Sequence, residues 1–249
     1  MPLSSPDLSE VKAIVFDVFG TVVDWRGSII RELEAVGARL GITRDWGSLA
    51  DRWRDGYYQG TKDVLAGKRD WATADVMHLE RLELLKTEFD LSALGQSEIE
   101  ELNRAWHRLT PWSDSVAGLT RLKQKFIIGT LSNGNNGLLV HMAKNAGLPW
   151  DVIMGGENFA SYKPSPKVYL GAVELLGYQP HEVMAAAAHL TDLGNAHQNG
   201  LRTAFIPRPL EFGGSDSTSE MVAELAHDAG DHIDLIATDF LDLANQLEA

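Results

Sequence analysis

The chain contains no cysteine. That excludes a disulfide framework, a thiolate metal site and a cysteine nucleophile. The absence fits a reducing compartment. The stretch Met1 to Glu10 is polar and lacks the basic, apolar and cleavage regions of a secretory signal. A cytoplasmic protein is therefore the expectation. No apolar run is long enough to cross a bilayer. Positive charge is scarce, with 22 Lys and Arg against 35 Asp and Glu and a formal net charge of −13. Phosphate-backbone binding needs clustered basic residues, so nucleic acid is excluded as a partner. A small anion is not, because a local cationic pocket can exist on an acidic protein. Internal repeats and low-complexity tracts are also missing. What is present is a 249-residue chain, 44% hydrophobic, long enough for one large domain or a core with an insertion.

Short apolar runs alternate with helical patterns. The strand candidates are Lys12–Phe16, Phe126–Leu131, Val152–Met154, Val183–Ala187, Thr203–Ile206 and Asp234–Ala237. Between them, Val116–Lys123, Leu138–Ala146, Pro166–Leu176 and Leu193–Asn199 carry helical apolar spacing. This alternation predicts an α/β fold with a parallel sheet covered on both faces. Ligands in such sheets gather at the carboxyl ends of the strands.

The segment from Trp25 to His107 breaks the alternation. It offers no strand and at least three amphipathic helices. Ile29, Ile30, Leu33, Val36 and Leu40 form one stripe, with Gly41 as its stop; Leu79, Leu82, Leu85 and Phe89 form another. Ser97-Glu98-Ile99-Glu100 has capping-box spacing and opens a helix containing Leu102, Trp106 and Leu109. An all-helical insertion after the first strand reads as a cap, residues 25–109, over a core made of 1–24 and 110–249. Pro111 marks the return to the core, and Gly213–Ser217 reads as a surface loop.

Asp17 ends the first apolar run and enters Val18-Phe19-Gly20-Thr21. A buried strand that delivers a carboxylate onto a glycine-containing turn makes it a candidate nucleophile. Two residues on stands Phe19, so no second acid is beside it to hold a metal or protonate a leaving oxygen. Three further motifs fall at strand ends: Leu131-Ser132-Asn133-Gly134, Lys163-Pro164-Ser165-Pro166 and Thr191-Asp192-Leu193. In this order, with a helical insertion after the first, the motifs resemble the haloacid dehalogenase-like hydrolases over nearly the whole chain. The resemblance implies a Rossmann-like core with an inserted helical cap. Most of that superfamily are magnesium-dependent phosphatases with a second Asp where Phe19 stands. Phe19, the cap segment Trp53-Arg54 with Tyr57-Tyr58, and Lys163-Pro164-Ser165-Pro166-Lys167-Val168-Tyr169 instead resemble the metal-free L-2-haloacid dehalogenase branch.

That branch implies hydrolysis of short (S)-2-haloalkanoic acids to (R)-2-hydroxy acids, through an ester on Asp17 and without metal or organic cofactor. Lys163 is expected to pair with Asp17 and keep it ionised. Thr21 is expected to hydrogen-bond around the nucleophile, or to cap a helix. Arg54 is expected to bind the substrate carboxylate or departing halide, and Ser132 and Asn133 to donate hydrogen bonds to the same groups, or to serve only the turn. Tyr169 is expected to hold Lys163, line the pocket or fill the core. Asp192 is expected to polarise the hydrolytic water, secure Lys163 or cap a helix. Phe19, Trp53 and Tyr58 are expected to line a dry pocket.

One departure stands out. Before Asp192 the chain reads Ala187-Ala188-His189 where the branch tends to have Ser-Ser-Asn. His189 takes the place of the Asn that positions water, as base, acceptor or structural residue. The remaining histidines show no compact ligand spacing. The partners implied are a haloacid, its halide product and a second copy of the chain. The rival readings are a magnesium-dependent phosphatase of the same superfamily and a non-catalytic relative.

Overall fold

The computed structural model describes residues 8–214, 230 and 232–249. Part of the Gly213–Ser217 loop and His227 lie outside the described residues.

The core is a five-stranded sheet in the order β4-β1-β5-β6-β7, every neighbouring pair parallel. Its strands are β1 (Ala13–Phe16), β4 (Ile127–Thr130), β5 (Val183–Ala187), β6 (Arg202–Phe205) and β7 (Leu235–Ile236). β1 and β5 are buried along their whole length, which explains their continuous apolar runs. Helices α5 (Ser115–Leu122), α6 (Asn136–Ala146), α8 (Pro166–Leu176), α9 (Leu190–Gln198) and a final helix, Phe240–Gln246, flank the sheet; a single turn, α7 (Gly156–Phe159), precedes α8.

The register decides where chemistry can occur. Phe16 stands level with Thr130 on one side and Ala186 on the other. The residues that follow these three strands therefore emerge together, where the chain order reverses around β1. That is the position at which open α/β sheets bind ligands.

The expected strand Val152–Met154 does not form. An isolated bridge joins Gly129 and Val152, with main-chain bonds from Val152 N–H to Ile128 O at 3.4 Å and from Thr130 N–H to Val152 O at 3.2 Å. Ser132 N–H also donates to Met154 O at 3.2 Å, but Met154 N–H returns no main-chain bond. Met154 N–H donates to Thr130 Oγ1 at 2.8 Å, and Ile128 N–H to Asp151 Oδ2 at 3.0 Å. Side chains thus take the bonds of the Met154 and Ile128 N–H groups that would have completed a main-chain ladder.

The insertion is helical, as its periodicity predicts: α1 (Trp25–Leu40), α2 (Trp46–Leu65), α3 (Ala74–Glu88), α4 (Gln96–Asn103) and a 3₁₀ turn, Arg104–Arg108. Asp24 caps α1 by accepting Gly27 N–H at 2.8 Å, and Gly41 ends it at φ 67°. The expected capping box at Ser97 is displaced. Gly95 is the cap, its N–H donating to Glu98 Oε2 at 2.9 Å, and Ser97 lies inside the helix. A short antiparallel ribbon of β2 (Val23–Asp24) and β3 (Thr110–Pro111) ties the two ends of the insertion together.

One hydrophobic cluster runs from Ile14 and Phe16 in the sheet through Phe19 to Trp25, Trp53 and Trp106 in the insertion. A polar brace supplements it. Asp75 on α3 accepts from Asn135 Nδ2 at 2.9 Å and contacts His107 Nε2 at 2.8 Å, and His107 meets His141 of α6 at 2.9 Å. These two histidines are far apart in sequence, so only the fold brings them together. No helix among the described residues is long and apolar enough to cross a membrane.

Candidate active site

Asp17 follows β1 directly, its N–H held by Ala186 O at 3.0 Å. Both carboxylate oxygens are engaged. Oδ1 accepts from Lys163 Nζ at 2.9 Å, while Oδ2 accepts from Thr21 Oγ1 at 2.9 Å and contacts His189 Nδ1 at 3.1 Å. Burial alone would raise the Asp17 pKa, but the Lys163 ammonium and the His189 contact outweigh it and hold the group well below the usual carboxylate range. Burial would likewise lower Lys163, and the charges of Asp17 and Asp192 reverse that and keep it protonated.

Lys163 Nζ sits between two carboxylates, 2.9 Å from Asp17 and 2.6 Å from Asp192 Oδ2. Tyr169 does not hold Lys163. Its hydroxyl donates to Asp192 Oδ1 at 2.6 Å, so it fixes the carboxylate that fixes the lysine. Asp192 lies in the first turn of α9, which begins at Leu190, and His189 occupies the cap position. Thr21 donates to Asp17 and also accepts Ala188 N–H at 2.9 Å; the helix cap nearby is Asp24.

A cavity of about 350 Å³ opens beside these groups, lined from the core by Asp17, Phe19, Asn133, Lys163, Tyr169, His189 and Asp192 and from α2 by Arg54, Tyr57 and Tyr58. Arg54 is 4% exposed and sits in an aromatic cage, its guanidinium carbon 4.4 Å from the Trp25 ring, 4.8 Å from Tyr58 and 5.5 Å from Phe19. It donates from Nη2 to Tyr58 Oη at 2.8 Å, whereas Nε and Nη1 have no partner among the described residues. A buried donor left unpaired costs about 1–3 kcal/mol, more when charged. Arg54 is therefore a buried cation with donors to spare beside the cavity.

Three expected residues are placed differently. Ser132 is fully buried and does not line the cavity; its Oγ accepts Gly134 N–H at 3.1 Å, which is turn chemistry. Trp53 is fully buried in the insertion, its Nε1 donating to His78 O at 2.8 Å, and it also stays outside the lining. Asn133 reaches the cavity but clamps the backbone of Lys163, accepting its N–H at 2.7 Å and donating to its carbonyl at 3.3 Å.

The structure adds a residue that sequence reasoning missed. Glu211, 3% exposed, contacts His189 Nε2 at 2.9 Å and accepts from Trp25 Nε1 at 2.9 Å. His189 thus lies between two carboxylates, one at each ring nitrogen. Burial would lower its pKa, and the bonds to Asp17 and Glu211 overcome that and raise it well above the ordinary value. The loop bearing Glu211 is pinned by Arg208, which makes two 2.8 Å bonds to Asp114 and donates to Thr21 O at 2.9 Å. An acid in a proline-bounded loop just past a core strand was the available signal: Pro207-Arg208-Pro209-Leu210-Glu211 follows Ile206.

Gly20 makes this packing possible. Its φ is +91°, and a Cβ there would lie 2.0 Å from Glu211 Oε1. Gly20→Ala is expected to cost about 1–3 kcal/mol and to displace Glu211. Thermal unfolding should show the first effect, and slower turnover in the protein that remains folded the second.

The sequence pattern of the haloacid dehalogenase-like hydrolases matches residues 11–193. The structure of a defluorinating L-2-haloacid dehalogenase is similar at a TM-score of 0.89 and 46% identity, covering 100% of both chains. A second L-2-haloacid dehalogenase gives 0.88 and 45%, covering 96% of this chain and 99% of the other. Among curated relatives, (S)-2-haloacid dehalogenase 4A of Burkholderia cepacia is 28% identical over 213 residues, covering 81% of this chain and 85% of the relative. The chain belongs to the haloacid dehalogenase-like hydrolases, in their L-2-haloacid dehalogenase branch.

Proposed function

We propose that this protein hydrolyses short (S)-2-haloalkanoic acids to (R)-2-hydroxy acids through a covalent ester on Asp17, with Lys163 in place of a metal. The protein is a hydrolase acting on carbon–halide bonds, the activity named for its relatives. The observation that carries the metal-free mechanism is the position of Lys163 Nζ, bonded to both Asp17 and Asp192. A divalent cation bridging those carboxylates would need the same space. A hard cation also wants more oxygen ligands than this pair supplies, and Phe19 stands where a further acid would be required.

In the first step an Asp17 oxygen attacks the halogen-bearing carbon in line with the departing halide, inverting configuration. The C–O bond forms as the C–halogen bond breaks, and the halide leaves with the electron pair. Arg54 receives an anion, the substrate carboxylate or the halide. Phe19 and Tyr58 exclude water and leave the carboxylate poorly hydrated. In the second step water attacks the carbonyl carbon of the Asp17 ester. His189 takes the proton of that water, and Glu211 holds the imidazole and stabilises the imidazolium so formed. The tetrahedral intermediate then collapses: the bond from the carbonyl carbon to the substrate oxygen breaks, that oxygen takes the second proton of the water, and Asp17 is restored as a carboxylate while the product keeps the inverted configuration.

The helical segment 25–109 acts as the cap, bringing Arg54 over a core formed by 1–24 and 110–249. The working unit we propose is a cytoplasmic homodimer, which the mass in solution tests for assembly. Activity is tested by halide release from the two enantiomers of 2-chloropropionate. The (S) form should give (R)-lactate, with the rate unchanged by a chelator. Chelator-sensitive release of phosphate from a phosphomonoester, without halide release, would favour the magnesium-phosphatase alternative instead.

A further inference from the structure

We infer that Tyr57 is a leaving-group residue: its hydroxyl, carried on α2 one turn from Arg54, receives the departing halide, and the stacked rings of His78 and Trp106 behind it hold it in place. The inference rests on the haloacid reading above and assigns a specific wall of the cavity to the halogen.

Arg54 and Tyr57 are three residues apart on α2 and share a face of that helix. Both line the cavity that contains Asp17, and both are buried, at 4% and 2% exposure. Among the described residues the Tyr57 hydroxyl has no hydrogen-bond partner, nor have Nε and Nη1 of Arg54. Burial pushes the Tyr57 pKa well above the ordinary phenol value, so the group remains a donor. Unpaired donors on one wall call for an acceptor. Asp17 is not free to be that acceptor, because Lys163, Thr21 and His189 already occupy its oxygens.

The direction of displacement identifies the missing group. Asp17 projects from the core, whereas Arg54 and Tyr57 face the same cavity from α2. In-line attack expels the halide on the side away from the nucleophile. The halide therefore departs toward α2.

The backing of Tyr57 is equally specific. His78 is 1% exposed, lies flat on Trp106 with centroids 4.2 Å apart and planes at 2°, and meets the Tyr57 ring at 4.6 Å. Burial pushes its pKa down to about 3, so it adds no charge to compete with Arg54 for the anion. His78 is a positioning residue, acting through Tyr57.

The hydroxyl donates a hydrogen bond to the leaving group without transferring its proton. Acceptor strength rises from bromide to chloride to fluoride, so this donor helps the poorer leaving groups most. Tyr57→Phe removes the donor and keeps the ring. Single-turnover halide release should be measured with 2-bromopropionate, (S)-2-chloropropionate and fluoroacetate, for wild type and variant. The expected loss is graded: least for bromide, about tenfold greater for chloride, and greatest for fluoride wherever wild type releases it. Inhibition by added chloride should weaken in parallel. His78→Phe, which keeps a flat ring in the stack, should retain most of the wild-type leaving-group preference. An even loss across the halides, with chloride inhibition unchanged, overturns the inference and leaves the haloacid reading standing. Wild type inert toward all three substrates takes down both.

Discussion

Asp17→Asn is expected to abolish halide release, with a loss of at least about 10⁴-fold in turnover, while leaving the fold intact. The substituted side chain has nearly the same shape, and Thr21 Oγ1 can still donate to its carbonyl oxygen. What disappears is the charge that the site is built to keep. In the native protein Lys163, 9% exposed at its side chain, is neutralised by two carboxylates. The amide leaves it with Asp192 alone. The nucleophile is lost outright, because a neutral amide cannot displace a halide at a useful rate. Two measurements check this. Circular dichroism and thermal unfolding should report a folded protein. Wild type turned over once in ¹⁸O-labelled water should carry the label in the peptide containing Asp17, because water opens the ester at the enzyme's own carbonyl carbon. Label found only in the hydroxy acid would mean that water attacks the substrate directly, and retained turnover in the variant would point the same way.

Much of this site was legible in the sequence because the residues follow buried strands. Ala13–Phe16 and Val183–Ala187 are continuous apolar runs, and a run of that kind has few alternatives to a covered parallel strand. Once the strands are placed, Asp17, Asn133 and His189 are placed with them. Lys163 and Asp192 came from motif order; the resemblance paired Lys163 with Asp17 and left the contact of Asp192 with the same ammonium as one of several alternatives. Less legible were positions decided by contacts between distant segments. Glu211 sits 22 residues beyond His189 in sequence, and its role depends on a loop folding back against Gly20 and Trp25. The proline-bounded loop just past Ile206 is the one local hint, and it does not say which residue the acid will meet. Trp53 and Tyr57 illustrate the same limit on a helix. Both lie in the Trp53–Tyr58 segment, yet helical rotation buries Trp53 against His78 and turns Tyr57 toward the cavity. Ser132 and Met154 show side-chain bonds replacing expected roles, one in a turn and one beside a strand. Patterns of hydrophobicity do not encode such exchanges.

His189→Gln should separate the two chemical steps. Both imidazole nitrogens face carboxylate oxygens, at 3.1 Å from Asp17 and 2.9 Å from Glu211. Asp17 is held ionised and only accepts, so the nitrogen facing it carries a proton; with a second acid oxygen against the other nitrogen, the resting ring is an imidazolium. It agrees with the upward shift of its pKa. An imidazolium cannot act as a base, so His189 is inert while Asp17 carries its charge. Ester formation removes that charge and one of the two acceptors. The His189 pKa then falls, its proton leaves as the one net proton of hydrolysis, and the neutral ring can accept from water. The nucleophile thereby switches on the base for its own release. The sign of the pH dependence follows. Asp17 is held well below the carboxylate range, so the halide-forming step should be flat wherever the protein stays folded. Ester hydrolysis should slow as pH falls, because acid keeps His189 protonated even in the ester. Rapid mixing at low pH should therefore give a burst of one halide per active site followed by slow turnover. In His189→Gln the burst should survive at every pH, with steady-state turnover down about 10²–10⁴-fold and an ester mass on the Asp17 peptide. Glu211→Gln should give a milder form of the same result. If burst and steady state decline together in both variants, His189 supports the first displacement instead, and the charge-controlled base is wrong.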